Sequence, residues 1–245
     1  MSRQRKEIII VRQKIIDLTL KIENNMLTPS DFQRPVYVKV MTHEDSLKMG
    51  NGIPEDPITS SYNYLSIIEH VGTHVDAFYH MRPDGLTIDE MPLSMFFGKA
   101  VCLDMRHIPE RGKVTVRDVE AAEKEAGVSI DGHIVLFATG LHERYYPDPR
   151  VITQNVEITP EVVRWLYERG SKVHGVEGPS TDIMDTKLYP SHRACRDLGI
   201  THYEWLVNLT SLIGAGEFTF YGVPLLLSKG TGSPVRAFAI INCPE

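Results

Sequence analysis

Three cysteines in 245 residues, at positions 102, 195 and 243, are too few and too scattered for a disulfide framework, and no CxxC pair marks a structural zinc site. They read as small buried apolar residues. Positive charge is also scarce: 26 Lys and Arg stand against 32 Asp and Glu, a net charge of −6. Without a basic stripe to neutralise phosphates, nucleic acid is not an expected partner. No window reaches the roughly 18 apolar residues of a membrane span. The apolar run IIIV at residues 8–11 is too short for a signal-peptide core and no small-residue cleavage site follows it, so a soluble cytoplasmic protein is expected. Repeats, low-complexity tracts and linkers are missing as well, which makes residues 1–245 one expected domain with a substantial core. GTGSPVR at 230–236 is glycine-rich but lacks the lysine-serine or lysine-threonine ending of a phosphate loop; it reads as a tight turn before a final buried strand.

What is present is an alternation of two patterns. Short β-rich runs recur as KIIDLTL, YLSIIEHVGTHVD, KAVCLDM, HIVLFAT, SKVHGVE, PLLLSKG and VRAFAII. Between them, VTVRDVEAAEKEAG and ITPEVVRWLYERG carry helical spacing, the second with a Thr159-Pro160 start and both ending in glycine, Gly127 and Gly170. Strand and helix in alternation argue for an α/β or mixed architecture. Residues 20–60, with Pro29, Pro35, Pro54, Pro57 and the pair Gly50 and Gly52, read as long loops over the scaffold, a usual place for segments that cover a site.

Chemistry concentrates in HVGTHVDAFYH, residues 70–80, which holds three of the ten histidines and one aspartate. His70, His74, Asp76 and His80 are all even-numbered, so an extended segment projects them from one face, and Gly72 on that face leaves room for an ion. A helix would instead put Asp76 opposite the imidazoles, and Val71, Gly72, Thr73 and Val75 are poor helix formers. Two imidazoles and a carboxylate form a recurrent catalytic ligand set, because three protein ligands leave a position where water can be bound and acidified. Such donors suit Zn²⁺ or Mn²⁺ better than Ca²⁺. A solvated polar strand would show the same parity.

HVGTHVDAFYH resembles the HxGTHxDxPxH signature of the family called putative cyclases, which includes bacterial kynurenine formamidases and isatin hydrolases. The likeness continues through PDGLTIDEMPL, HIVLFATGLHERY, HGVEGPSTD, SHRACRDLGITHYEWLVNL and PLLLSKGTGSPVRAFAI, in order and over most of the chain. The resemblance implies an α/β fold, a swivelling β/β/α domain with a mixed, partly barrel-like sheet, and a homodimer or homotetramer. It implies metal binding by His70, His74 and Asp76, with His80 either a ligand or the acid/base. His192 and Glu204, twelve residues apart, match the later ligands of binuclear members, with Asp76 a bridge between ions. The count, one or two ions, stays open. Two departures stand out: Phe78 replaces the signature's proline, and Glu177 replaces a frequent aspartate.

The function implied is hydrolysis of the C–N bond of a small, aromatic amide or lactam by metal-activated water. His80, His192 and Glu204 are its candidate catalytic groups, the histidine suited to give the leaving nitrogen a proton. A cyclase, dehydratase or lyase step at the same ion is the alternative, and a non-catalytic metal-binding protein the third reading. Phe32, Tyr62, Phe78 and Trp205 are candidates to hold an aromatic substrate, although aromatics are more often core. Thr73 and Phe78 lean the expected substrate towards a cyclic amide. By itself Glu204 reads as a solvated carboxylate in a helix or helix start. His133, His142, His174 and His202 have no comparable company and read as structural or surface groups.

Overall fold

The computed structural model describes residues 12–50, 52–53 and 55–243. The chain opens with β1 (Arg12–Asp17) and then makes an arm of β2 (Val36–Met41), α1 (His43–Lys48), the two-residue strands β3 (Gly52–Ile53) and β4 (Asp56–Pro57), and β5 (Tyr62–Ser66). The central part holds β6 (His74–Asp76), α2 (Phe78–Met81), β7 (Phe97–Asp104), β8 (Lys113–Val114), α3 (Val116–Ala126) and β9 (Ile134–Ala138). There follow α4 (Leu141–Tyr145), α5 (Arg150–Thr153), β10 (Glu157–Ile158), α6 (Pro160–Glu168), β11 (Val173–Val176), α7 (Pro190–Leu198), β12 (Thr201–Glu204), β13 (Phe218–Tyr221), β14 (Gly232–Pro234) and β15 (Phe238–Cys243).

Nine strands form one curled, half-barrel sheet in the order β1-β15-β13-β7-β9-β11-β12-β6-β14. Its centre, β7, β9, β11 and β12, is parallel, and both flanks are antiparallel. Of the parallel strands, β7 over residues 100–103 and β9 throughout are apolar at successive residues because both faces are covered. In β9, Ile134, Leu136 and Ala138 join the core inside the curl, whereas Val135 and Phe137 join the layer under the helices. That second layer is closed by Val119 and Ala122 of α3, Val162, Val163 and Leu166 of α6, and Ala194 and Cys195 of α7. The two predicted helices form as their signals require. Thr115 and Asp118 make a capping box on α3, and the Thr159 hydroxyl caps α6 ahead of Pro160.

Four expectations about elements need correction. Residues 20–60 are more than loops: β2 and β5 pair as a separate two-stranded sheet, with α1 between them. PLLLSKG forms no strand beyond a bridge at Pro224, and Leu225 and Leu226 are exposed. GTGSPVR is not only a turn, since its Gly232–Pro234 is an edge strand paired to β6. Glu204 ends a strand rather than starting a helix, because the β-branched Thr201 and the aromatic Tyr203 suit the slot between β11 and β6. Cys102 and Cys195 are buried free thiols; the side chain of Cys243 lies outside the described residues, as does the run IIIV. No helix among the described residues is long and apolar enough to cross a membrane.

Candidate metal centre and active-site cavity

The centre is built on the three residues of β6. Val75 points into the core, so its neighbours His74 and Asp76 point the other way, and the antiparallel register sets Glu204 of β12 opposite His74. Tyr203 likewise packs into the core, which turns His202 and Glu204 towards the same side as Asp76. The helical turn α2 delivers His80, and the N-terminal end of α7 delivers His192. All these groups meet at Asp76, whose side chain is 1% exposed. One carboxylate oxygen, Oδ1, faces His70 Nδ1 at 2.8 Å and His74 Nε2 at 3.5 Å. The other, Oδ2, faces His202 Nε2 at 3.4 Å, His192 Nε2 at 3.7 Å and His80 Nε2 at 3.9 Å. Glu204 divides in the same way, Oε2 lying 3.3 Å from His74 and Oε1 3.2 Å from His202 and 3.8 Å from His192.

Outer contacts decide which ring nitrogen carries a lone pair. His74 Nδ1–H donates to the Gly72 carbonyl at 2.8 Å, and His192 Nδ1–H donates to Asp182 Oδ2 at 2.5 Å. The Thr231 hydroxyl is committed to Glu69, so it accepts from His70 Nε2–H at 3.0 Å. In a neutral ring the inner nitrogen therefore presents a lone pair to a carboxylate, and two such groups cannot hydrogen-bond to each other. His74 Nε2 and Asp76 Oδ1 are accordingly buried without a hydrogen-bond partner. A divalent cation resolves this arrangement, and imidazole nitrogens held by carboxylate or carbonyl acceptors are the usual way of holding one. Among the described residues three groups of donors lie close enough to hold an ion: Asp76 with His192, His202 and Glu204, His70 with Asp76 and His80, and His174 with Cys195 and His202.

In an ion-free centre protons take the cation's place on the imidazoles. Burial works against charge on every member, yet the clustered imidazoles hold Asp76 well below the usual carboxylate range and Glu204 at about 2. In return Asp76 and Glu204 push His74 up to about 10, and Asp182 and Asp76 push His192 up to about 9. His80 is the exception: burial lowers its pKa, and the nearby Asp76 only partly opposes this. A cavity of about 450 Å³ opens onto the centre, with His70, Asp76, His80, His192 and Glu204 on its floor.

The family model described as "Putative cyclase" matches residues 16–183, well over half of the chain. The chain belongs to this cyclase family. It is 31% identical over 184 residues to the kynurenine formamidase of Salinibacter ruber, covering 75% of this chain and 81% of that protein. It is 29% identical to the kynurenine formamidase of Bacillus cereus, covering 91% and 95%. Among solved structures, isatin hydrolase A from Labrenzia aggregata, bound to benzyl benzoate, superposes with a TM-score of 0.77 at 23% identity over 94% of each chain. That likeness speaks for the fold.

In this cyclase-family chain the six predicted metal residues, His70, His74, Asp76, His80, His192 and Glu204, all meet at one centre. The reason first offered for the cluster at 70–80 does not hold. Only His74–Asp76 is strand; His70 sits in the preceding turn and His80 in α2, so even numbering is not what aligns them. Gly72 does not clear space for an ion either. Its φ of +60° makes the turn, and a Cβ there would meet Ile22. The glycine that makes room is Gly232, where a Cβ would lie 2.7 Å from His70 Cε1. Phe32 and Trp205 line the cavity, but Tyr62 stands exposed on β5 and Phe78 packs against the core inside the curl, so neither of these two is a cavity wall. Thr73 is also away from the substrate side: it accepts from Leu20 N–H at 2.8 Å and donates to the Trp205 carbonyl.

Sequence reasoning missed His202 and Asp182. His202 is not a structural or surface group without company, since it is fully buried against both carboxylates of the centre. Its position two residues before Glu204 signals this once the segment is read as a strand. Asp182 caps the first turn of α7, accepting from Ser191 N–H at 2.7 Å and His192 N–H at 3.0 Å, and so fixes both the helix and the ring of His192. His133 and His142 do sit apart, bonded to Glu217 and stacked on Tyr146 respectively.

Proposed function

We propose that the protein is a metal-dependent amidohydrolase that cleaves the C–N bond of a small aryl amide or lactam, such as an N-formyl-arylamine or an isatin-like cyclic amide. The observation that carries this reading is the donor set around Asp76 at the floor of a cavity flanked by Phe32 and Trp205. The relatives named kynurenine formamidase and the fold neighbours named isatin hydrolase support the substrate class. A bound Mn²⁺ or Zn²⁺ supplies Lewis acidity and a nucleophile at neutral pH. His70, His74 and Asp76 would hold it, with His192 and Glu204 beside them on the cavity floor. His80, on the open side with its ring 41% exposed, is neutral at pH 7 because burial lowers its pKa. Its Nε2 takes a proton from the nucleophile and delivers it to the leaving nitrogen, without which an arylamide anion would have to depart. Arg193 and Arg196, also on the cavity, suit a substrate or product carboxylate.

The test is elemental analysis of the purified protein, with the same sample assayed on N-formylkynurenine and isatin before and after chelation. Turnover that disappears with the metal and returns on adding it back is expected. Full turnover in the metal-free protein would overturn the reading.

The partners we infer are the small substrate and a second copy of the chain, as a homodimer or a pair of dimers, with the cytoplasm as the working compartment. The reducing cytoplasm suits the buried free thiols. The β2–β5 sheet supports self-association, because it exposes Val38, Val40, Tyr62 and Tyr64, and a two-stranded sheet is not stable uncovered in water. Sedimentation of the wild type against Tyr64→Asp checks this: the variant should shift towards monomer.

A further inference from the structure

We propose that His202, enclosed behind the cavity, is a metal ligand: the fourth protein donor of a closed site made with Asp76, His192 and Glu204. This rests on the metal-dependent reading above. His202 Nε2 lies 3.2 Å from Glu204 Oε1 and 3.4 Å from Asp76 Oδ2, and His192 Nε2 lies 3.8 Å and 3.7 Å from the same two oxygens. Four donors at metal–ligand distances of about 2.0–2.1 Å on the corners of a tetrahedron are about 3.3–3.4 Å apart along each edge. The two edges from His202 match that value, and the two from His192 are 0.3–0.5 Å longer.

A plain hydrogen bond from His202 explains the arrangement less well. A proton on His202 Nε2 satisfies its own two contacts. It leaves a neutral His192, whose Nδ1–H is committed to Asp182, with its lone pair turned to the same oxygens. One ion at the middle of the set satisfies all four atoms. The wall behind His202 supports a fixed role for the ring: His174 of the neighbouring β11 stacks on it at 5.3 Å, itself tied through Nε2 to Thr181 at 3.0 Å.

The consequence is a division of labour. Four protein donors close a tetrahedral site, so it holds its ion structurally and offers no position to substrate or water. The remaining oxygens, Asp76 Oδ1 and Glu204 Oε2, turn towards His70 and His74, beside the cavity. The open coordination position belongs to that side, and His202 is the residue that excludes it from the other.

Metal loading with Zn²⁺ alone, read by elemental analysis and X-ray absorption, tests the proposal without substrate. Two ions per wild-type chain are expected. His202→Gln should keep one and bind the second at least ~100-fold more weakly. Titration with Co²⁺ should give the intense visible absorption of a four-coordinate ion in the wild type and lose it in the variant. Should the variant fail to fold, the imidazole count from X-ray absorption of the wild type decides, with two imidazoles on the second ion expected. One ion per wild-type chain at saturation, one imidazole on the second ion, or a variant with unchanged second affinity and Co²⁺ spectrum would overturn it. Two His202-dependent ions in a protein inactive on aryl amides would sink the functional reading and leave this one standing; amide hydrolysis with one ion would do the reverse.

Discussion

Two buried glutamates sit at the ends of adjacent parallel strands and differ in charge. Glu177 follows β11 and Glu204 closes β12. One oxygen of Glu177 accepts from Thr139 N–H at 2.8 Å, the Thr139 hydroxyl at 2.5 Å and Leu141 N–H at 3.1 Å, while its Oε1 has no partner. Burial, aided by Glu143, raises its pKa to about 8 in spite of those donors. Glu204 is also buried, but His202 and His74 outweigh burial and hold it at about 2. Burial alone makes a neutral acid. Clustered imidazoles make a carboxylate that is ready for a cation, and that is what separates the centre from the polar interior one strand away.

Glu204→Gln should break the contrast most severely. It makes the end of β12 as neutral as Glu177, so metal content should fall and kcat/KM should drop by about 1000-fold or more. His74→Ala removes an imidazole shared by both carboxylates; elemental analysis should show lost metal, with turnover lost in parallel. Asp182→Asn keeps every donor around Asp76 but loosens the ring of His192, for which a loss of about 10–100-fold in metal affinity is expected by competition with a chelator.

Glu177→Gln sharpens the comparison from the other side. In the folded chain Glu177 keeps its proton up to about pH 8, whereas unfolded it releases it near 4.5. The folded state binds more protons across that window, so stability should fall as pH rises from 4.5 to 8. Melting temperature followed over this range should decline less steeply in the variant, by about 2–4 °C for each kcal/mol involved. An equal slope in both proteins would show that Glu177 is ionised in the fold.

Much of this was legible in the sequence. The apolar runs of β7 and β9 and the capped helices α3 and α6 carry local signals strong enough to survive into the structure. The six-residue donor set, Asp76 included, was read from residue type and family likeness. What misled was the assumption that HVGTHVDAFYH is uniformly extended. Gly72 at positive φ and the turn of α2 break it, and such breaks depend on what Leu20, Ile22 and Gly232 place around the segment. Phe78 misled for a related reason: a residue beside ligands in sequence can face the core when a helical turn rotates it away.

By itself the sequence determined the alternating architecture and the clustering of imidazoles and carboxylates that makes a candidate metal centre, because these depend on short-range periodicity and donor type. Only the tertiary structure decided that His202 joins the centre, that Asp182 and Thr231 select the ring nitrogens, and that Gly232 makes room for His70. Those facts depend on strand register and on side chains as far as 161 residues apart in sequence, which no local pattern encodes.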